Sequence, residues 1–194
     1  METLGREFYE RDTLTVAREL LGCRLTRLFQ GERLVGRITE TEAYIGRLDK
    51  ACHAYGYKRT PRTETLFAPA GTAYLYLIYG MYTCLNFVTE PEGEPAAVLI
   101  RGVEPVEGEE TMAQLRFGQK LEELTPYQRR NFLNGPGKVC KAFSLDRAWN
   151  GHDLRKEPLF VEGRDRPVGA IHTGKRIGID YAQEAAEFPW RFYL

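Results

Sequence analysis

The residues of this sequence best suited to chemistry lie between positions 40 and 53. The carboxylate of Glu42 is followed by the ring of Tyr44 and by His53, all within a dozen positions. A carboxylate can accept a proton, and flat rings can stack on a flat ligand. Glu40 places a second carboxylate two residues before Glu42. Together with the basic residues that follow, this combination indicates nucleic-acid chemistry.

These side chains depend on a strand that is predicted to end at Gly46. Residues 34–39 are rich in apolar and β-branched types, which favour a pleated, half-buried strand. Residues two apart in a strand share a face, so Glu40, Glu42 and Tyr44 are predicted to project from one side. Carboxylates are rarely buried without a partner or a task.

A purely structural interpretation of the same residues is also open. Glu40 would then pair with Arg33 or Arg37 on a polar outer face of the strand. His53, one of three histidines in the chain, would be an ordinary hydrogen-bonded structural residue.

A basic run follows His53 and argues for the functional interpretation. Lys58, Arg59 and Arg62 occur with no acidic residue between His53 and Arg62. The formal net charge of the whole chain is zero, so no global field attracts DNA. A local basic face still binds phosphate, because salt screens charges beyond roughly 8–10 Å.

Residues 73–78 and 82–89 are predicted to form a hairpin that turns at Gly80. Tyr76 then lies in the first strand and Tyr79 stands at the tip. An exposed aromatic ring is costly for solubility unless it inserts into a partner. The alternative is a Tyr79 ring folded onto the core.

Two further cations need explanation. Arg101 interrupts an apolar strand predicted over residues 96–103, and its charge requires either a ligand or an ion pair with a neighbouring glutamate. Lys138 closes the Gly-rich segment 134–138 before a short predicted helix, where free backbone N–H groups can bind phosphate. That segment lacks the full spacing of a P-loop.

The composition is that of one globular domain. The chain has 194 residues, of which 28% are charged and 43% hydrophobic. Its four cysteines form no CxxC pair and give no support to a zinc or iron–sulfur site. Without a secretory signal at the N-terminus, they predict a reduced, intracellular protein. The uncharged segment 68–88 carries proline, glycine and four tyrosines, so we expect a hairpin and no membrane helix.

The fold prediction is a single α+β domain over residues 1–194, with a curved, mainly antiparallel sheet, surrounding helices and a protruding β-hairpin. Asp12 is predicted to cap the first helix. The helices are predicted over residues 13–21, 107–120, 126–133 and 139–143. The remaining strands are predicted over residues 23–29, near 158–162, 167–173 and 176–180, and at the C-terminus.

Several segments in order carry a family resemblance. They are ETEAY at 40–44, His53, TPR at 60–62, YLYLIYGMYTCLN at 74–86, LIRGVEP at 99–105 and GPGKVC at 135–140. Together they resemble the alkyladenine (methylpurine) DNA glycosylase family, and the resemblance runs from about Leu4 to the closing RFYL. Several motifs in the correct order are far more specific than any one alone.

The resemblance implies a DNA repair enzyme without metal or organic cofactor. Such an enzyme removes alkylated or deaminated purines from double-stranded DNA by hydrolysing the N-glycosidic bond, and it leaves an abasic site. We expect a monomer that acts on the genome, in the bacterial cytoplasm or in a nucleus, with no membrane partner.

The resemblance also implies the catalytic residues. The glutamate matching Glu42 deprotonates the attacking water, and the arginine matching Arg101 helps to hold that water. No lysine is clearly placed as a Schiff-base nucleophile, which predicts a monofunctional glycosylase without lyase activity.

Further residues are expected to hold the DNA. Residues matching Tyr44, His53 and Tyr76 form the pocket around the flipped base, and the asparagine matching Asn86 helps to exclude guanine. The tyrosine matching Tyr79 fills the gap left in the duplex.

Backbone contacts and departures from the family follow the same resemblance. Lys58, Thr60 and Lys138 fall at positions consistent with contacts to the DNA backbone. The segment between Val88 and Ala96 is acidic here and is expected to stay away from phosphate. The loop 164–176 is expected to border the pocket and to affect the range of lesions.

Two other function classes stay open. The domain could bind lesions without cutting, or it could hydrolyse free nucleosides or other glycosides with Glu40 and Glu42 as a carboxylate pair. The lesion range is also open, because a neutral purine needs protonation to leave and the sequence identifies no acid for that step.

Overall fold

The computed structural model describes all 194 residues, and its main element is a nine-stranded sheet in which every pair is antiparallel. The strands are β1 (Arg24–Phe29), β2 (Glu32–Ile45), β3 (Ala73–Ile78), β4 (Tyr82–Val88), β5 (Ala96–Glu107), β6 (Arg155–Lys156), β7 (Leu159–Glu162), β8 (His172–Gly174) and β9 (Arg191–Tyr193). They are ordered β3-β4-β5-β2-β1-β7-β6, with β9 paired to both β2 and β8.

Five α-helices and five 3-10 segments surround the sheet. The helices are α1 (Arg6–Tyr9), α2 (Thr13–Glu19), α3 (Glu109–Phe117), α4 (Pro126–Arg130) and α5 (Pro136–Ala142), and the 3-10 segments are Tyr55–Tyr57, Glu64–Phe67, Leu121–Glu123, Arg147–Trp149 and Asp180–Glu187. The predicted cap is confirmed, since the Asp12 carboxylate accepts a hydrogen bond from the Thr15 N–H at 2.9 Å. Helix α5 begins earlier than predicted, at Pro136, because proline is well suited to the first helical position.

One predicted strand, over residues 176–180, is wrong. Residues 175–179 belong to neither helix nor strand. The Arg176 side chain is buried and donates to the carbonyls of Ala43 and Ala185. The segment is therefore held by side-chain contacts, which a local pattern does not reveal. Strand β8 also covers only the end of the predicted 167–173.

Strand β2 is the central strand of the sheet and pairs with three others. Its first half pairs with β1 and its second half with β9, while β5 pairs along its other edge. The β2–β5 register shifts at three places, two of them beside Glu40. Such bulges bend a strand and increase its twist, and the sheet curls into a half-barrel. The predicted α+β class and curved antiparallel sheet are confirmed.

The two faces of the curled sheet have different surroundings. Ala43, Leu75, Phe87 and Ile100 point towards the main hydrophobic core, which also contains the buried faces of α2, α3 and α5. The residues that alternate with them project from the opposite face. Segment 68–88 contains β3 and β4, and no helix of the structure is both long and apolar enough to cross a membrane.

Candidate active site

A row of four side chains crosses four strands on the face opposite the main core. Tyr74 of β3 pairs with Asn86 of β4, Asn86 pairs with Leu99 of β5, and Leu99 pairs with Glu42 of β2. Side chains directly opposite each other on one face are neighbours. The position of Glu42 in this row is therefore set by the register in which the four strands pair.

Above this row lies a cavity of about 390 Å³, which is within the usual range for small-ligand pockets. The structure brings most of the predicted site residues to its wall: Tyr44, His53, Tyr76, Tyr79, Asn86 and Arg101. Lys58, Thr60 and Lys138 do not line the cavity. The residues expected to hold a base and those expected to contact the DNA backbone thus separate in space.

Glu42 is sealed directly behind this wall. Its side chain is 0% exposed, and three wall residues lie against it. The Tyr44 hydroxyl donates to Oε2 at 2.7 Å, the Ile177 N–H donates to Oε1 at 2.8 Å, and Arg101 Nε lies 3.6 Å from Oε1. Burial raises the pKa of Glu42, while Arg101 and the two hydrogen bonds oppose that rise.

Glu40 faces the same arginine but is engaged differently. Its Oε1 lies 3.3 Å from Arg101 Nε and 3.0 Å from Arg191 Nη1. The alternative interpretation, in which Glu40 pairs with Arg33 or Arg37, is wrong, because both arginines form ion pairs with other carboxylates. Two cations compensate this carboxylate, and it does not line the cavity.

The arginine at position 101 combines both expected interpretations. It lines the cavity and also forms an ion pair with Glu40. Its partners are strand neighbours across the sheet, whereas a glutamate close to it in sequence was expected.

One wall of the cavity consists of rings in contact. His53 and Tyr76 meet edge to face with centroids 4.5 Å apart, and His53 Nδ1 lies 3.0 Å from the Tyr74 hydroxyl oxygen. Burial first, and then nearby Arg62, lower the pKa of His53 to about 4. The imidazole is therefore neutral at physiological pH, so it is a flat polar surface with one N–H donor and does not act as a general acid in the imidazolium form.

Asn86 is anchored within the row. Its amide nitrogen donates to the Tyr74 carbonyl at 3.2 Å, and the residue is only 3% exposed. The amide is thus presented to the cavity in a fixed position.

Tyr79 stands at the turn between β3 and β4 with 87% of its surface exposed. The alternative of a ring folded on the core is therefore wrong. Its backbone φ of 52° and that of Gly80, 70°, are both left-handed, and a residue with a side chain adopts this conformation at some cost. The tight turn keeps the ring at the mouth of the cavity.

The basic run after His53 is only partly available. Lys58 is exposed and makes no ion pair, whereas Arg59 forms a bidentate pair with Glu64 at 2.9 and 2.6 Å. Thr60 shares hydrogen bonds with Thr63 within one turn. Glu64 lies just beyond the run, so counting charges within the run overestimated its basicity.

A second cationic surface lies on α5. Lys138 makes no ion pair, and burial together with nearby Arg116 lowers its pKa. An added Cβ at Gly137 would lie 3.0 Å from the Tyr82 ring, so a glycine allows the hairpin to pack on this helix. The first residue of β4, Tyr82, thus lies against the helix that carries Lys138. Arg116 was not identified from the sequence.

Other residues of the site were also missed. The cavity is bordered by Ile177 and Tyr181, whereas no residue of loop 164–176 lines it. Asp49 and Arg176 form a buried ion pair behind Tyr44. No local signal reveals these contacts, because they join segments more than a hundred residues apart.

Fold and site together define a class: an α+β protein whose sheet holds a buried carboxylate behind a pocket for a flat ring. Comparison with known proteins is more specific. The chain belongs to the methylpurine-DNA glycosylase family, whose model matches residues 7–194. The resemblance found in the motifs is thereby confirmed, and the class of activity is that of a DNA glycosylase.

Curated relatives are similar over nearly their whole length. A protein of Clostridium perfringens (strain SM101 / Type A) is 54% identical over 98% of this chain and 95% of its own length. One from Desulfitobacterium hafniense (strain Y51) is 52% identical over 100% and 96%, and one from Alkaliphilus oremlandii (strain OhILAs) is 52% identical over 98% and 95%. Each bears the name "Putative 3-methyladenine DNA glycosylase".

Proposed function

We propose that this protein is a monofunctional glycosylase that flips a damaged purine, such as 3-methyladenine, out of duplex DNA and hydrolyses its N-glycosidic bond. Glu42 activates the attacking water. The observation that carries the proposal is the contact of this buried carboxylate with three groups of the cavity wall, Tyr44, Arg101 and Ile177.

The rings of the cavity supply the energy of base capture. Taking a base out of the duplex costs a few kcal/mol, and each stacking contact with an aromatic side chain returns roughly 1–3 kcal/mol. His53 and Tyr76 already contact each other, so the base enters between this pair and Tyr44. The neutral imidazole avoids repulsion of a cationic alkylated purine.

Bond cleavage leaves positive charge on the sugar, and Glu42 is suited to that charge. An ionised carboxylate stabilises an oxocarbenium-like state while it accepts a proton from water. Each of its oxygens accepts one hydrogen bond and retains a second lone pair for water. Because the group is sealed, water reaches it when wall side chains move on binding. Arg101 then orients the water.

Tyr79 is the wedge that occupies the space left by the flipped base. Lys58, together with Lys138 and Arg116 near the hairpin, binds the phosphates on either side. Thr60 orders the turn that carries Lys58. The protein acts on the genome as a monomer.

Removing the Lys58 cation is expected to weaken DNA binding without a change in base preference. Lys58→Ala should reduce affinity equally for lesion and undamaged duplexes, and the slope of log K against log salt should fall by about 1. Fluorescence anisotropy over a salt series measures both quantities. Arg59→Ala is the matched control, since Glu64 already neutralises that residue. An equal loss in both variants would contradict a specific phosphate contact by Lys58.

The reaction is tested with duplex oligonucleotides that each carry one 3-methylpurine, hypoxanthine or ethenoadenine. After incubation with the protein, hot alkali cleaves any abasic site. We expect base release from at least the alkylated substrate and no DNA adduct trapped by borohydride, because a water nucleophile forms no Schiff base. Binding without release would indicate a lesion-sensing module. Release from free nucleosides that survives high salt would indicate a nucleoside hydrolase.

A further inference from the structure

A fully buried ion pair lies behind the pocket, between Asp49 and Arg176. Both side chains are 0% exposed, and Nη1 and Nη2 donate to Oδ2 and Oδ1 at 2.5 and 2.8 Å. A bidentate pair fixes geometry precisely enough to orient its neighbours. Burying two charges is a poor source of stability in itself, so the location of this pair requires another explanation.

Arg176 is hydrogen-bonded to the segment of β2 that carries Glu42, the proposed general base. Its Nη1 also donates to the carbonyl of Ala43, the residue between Glu42 and Tyr44, at 2.8 Å. Its guanidinium carbon lies 4.7 Å from the centre of the Tyr44 ring. One face of that ring is therefore supported from behind.

Asp49 holds the turn that follows the same strand. Its carboxylate accepts hydrogen bonds from the N–H groups of Ala51 at 2.9 Å and Ile45 at 3.3 Å. Ala51 lines the cavity. The pair thus joins two neighbouring parts of the pocket border, the turn after β2 and the segment around Arg176, where Ala51 packs in one cluster with Ile179.

The neighbour of Arg176 makes the one backbone contact with the Glu42 carboxylate. The Ile177 N–H donates to Oε1 at 2.8 Å. The Ile177 residue is itself 49% exposed, in a segment without helix or strand. Its position therefore depends on the adjacent buried anchor, Arg176.

We propose that the Asp49–Arg176 ion pair is a positioning unit of the glycosylase reaction. It holds the Ile177 N–H against Glu42 and the Tyr44 ring beside the flipped purine. The ion pair itself contacts no part of the DNA. This inference rests on the proposed role of Glu42.

The first test is Arg176→Lys, which keeps the charge but loses the planar fork and the stacking on Tyr44. The matched control is Arg155→Lys, from a bidentate pair with Asp153 at 2.8 and 2.7 Å that lines no part of the cavity. Single-turnover base release at saturating protein should fall about 10–100-fold in the Arg176 variant, because small misplacements of reacting groups are costly. The control should stay within about twofold of wild type.

A pH profile separates positioning from loss of fold. The titratable and charged groups near Glu42 are Arg101, Tyr44, Glu40, Tyr76 and Cys84. The Ile177 N–H favours the ionised carboxylate, so its displacement raises the pKa of Glu42 and moves the acid limb of the rate profile to higher pH. A variant that is merely less stable keeps the acid limb of wild type.

A double variant covers the case in which Arg176→Lys does not fold. Asp49→Asn combined with Arg176→Gln removes both charges together and leaves no unpaired buried charge. The same fall in rate and the same shift of the acid limb are expected. A folded variant of either kind with wild-type rate and acid limb would overturn the proposal. If wild type itself released no base, the proposed function would fail first, and the two failures are thereby distinguished.

Discussion

Glu42→Gln is expected to remove base release and to leave binding of lesion DNA intact. The amide has the same shape but cannot accept a proton from water or offset positive charge on the sugar. General-base assistance is typically worth about 10²–10⁴-fold, and single-turnover release should fall by at least that amount. Binding should persist because the rings of the pocket and the cationic surface are unchanged. Gel shift with a lesion duplex and quenched-flow assays of base release measure the two properties on the same protein.

The control for this experiment is Glu40→Gln. Glu40 is the other carboxylate beside Arg101, but it lies outside the cavity wall and is compensated by Arg191. Its loss should reduce the rate far less, through a small shift of Arg101. Equal, large losses in both variants would instead indicate a mechanism with two carboxylates. Full activity of Glu42→Gln would show that Glu42 is not the general base, while the protein would still be a glycosylase.

Tyr79→Ser should weaken capture of a lesion in duplex DNA by roughly 5–150-fold, the equivalent of about 1–3 kcal/mol of lost aromatic stacking. The ring is 87% exposed, so thermal stability should not change. The loss should be much smaller when the lesion lies in single-stranded DNA, where no gap needs to be filled. The role of Tyr79 is isolated by comparing, for duplex and single-stranded lesion DNA, the protein concentration that gives half-maximal single-turnover base release.

Tyr127→Ser is a matched control for Tyr79→Ser. Tyr127 is 69% exposed, lies on α4 and does not line the cavity. Its replacement removes the same exposed ring without affecting the mouth of the pocket. Equal effects of both variants, or equal losses of Tyr79→Ser on duplex and single strand, would argue against insertion into the duplex.

The parts of the site that the sequence predicted are those set by local pattern. Alternation along β2 predicted that Glu42 and Tyr44 share a face, and the hairpin pattern placed Tyr79 at a turn. Both signals act over a few residues, where backbone geometry decides which side chains are neighbours. The position of Arg101 does not follow from such a pattern, because the β2–β5 register skips this residue between Gly102 and Ile100.

The parts that were not predicted depend on ion pairs between distant segments. Glu40 pairs with Arg191, which lies 151 positions away, and Asp49 pairs with Arg176 at a separation of 127. In the sequence, any acidic residue could pair with any of the basic residues. Only the curl of the sheet selects the partners. The strand predicted over residues 176–180 was wrong for the same reason, since a buried side chain holds that segment in place.

The row of Tyr74, Asn86, Leu99 and Glu42 has a consequence for how such a protein diversifies. These four side chains belong to the hydrogen-bonded sheet and share its rigidity, so a change in their backbone disturbs the whole fold. Another border of the pocket, residues 177–179, lies in a connecting segment whose side chains tolerate replacement better, because its contact with Glu42 is made by the backbone N–H of Ile177. The carboxylate of Glu42 and the amide of Asn86 are thus fixed by the same sheet, whereas the side chains of residues 177–179 are not. Side-chain changes in residues 177–179 are therefore expected to alter the shape of the pocket without displacing the carboxylate of Glu42.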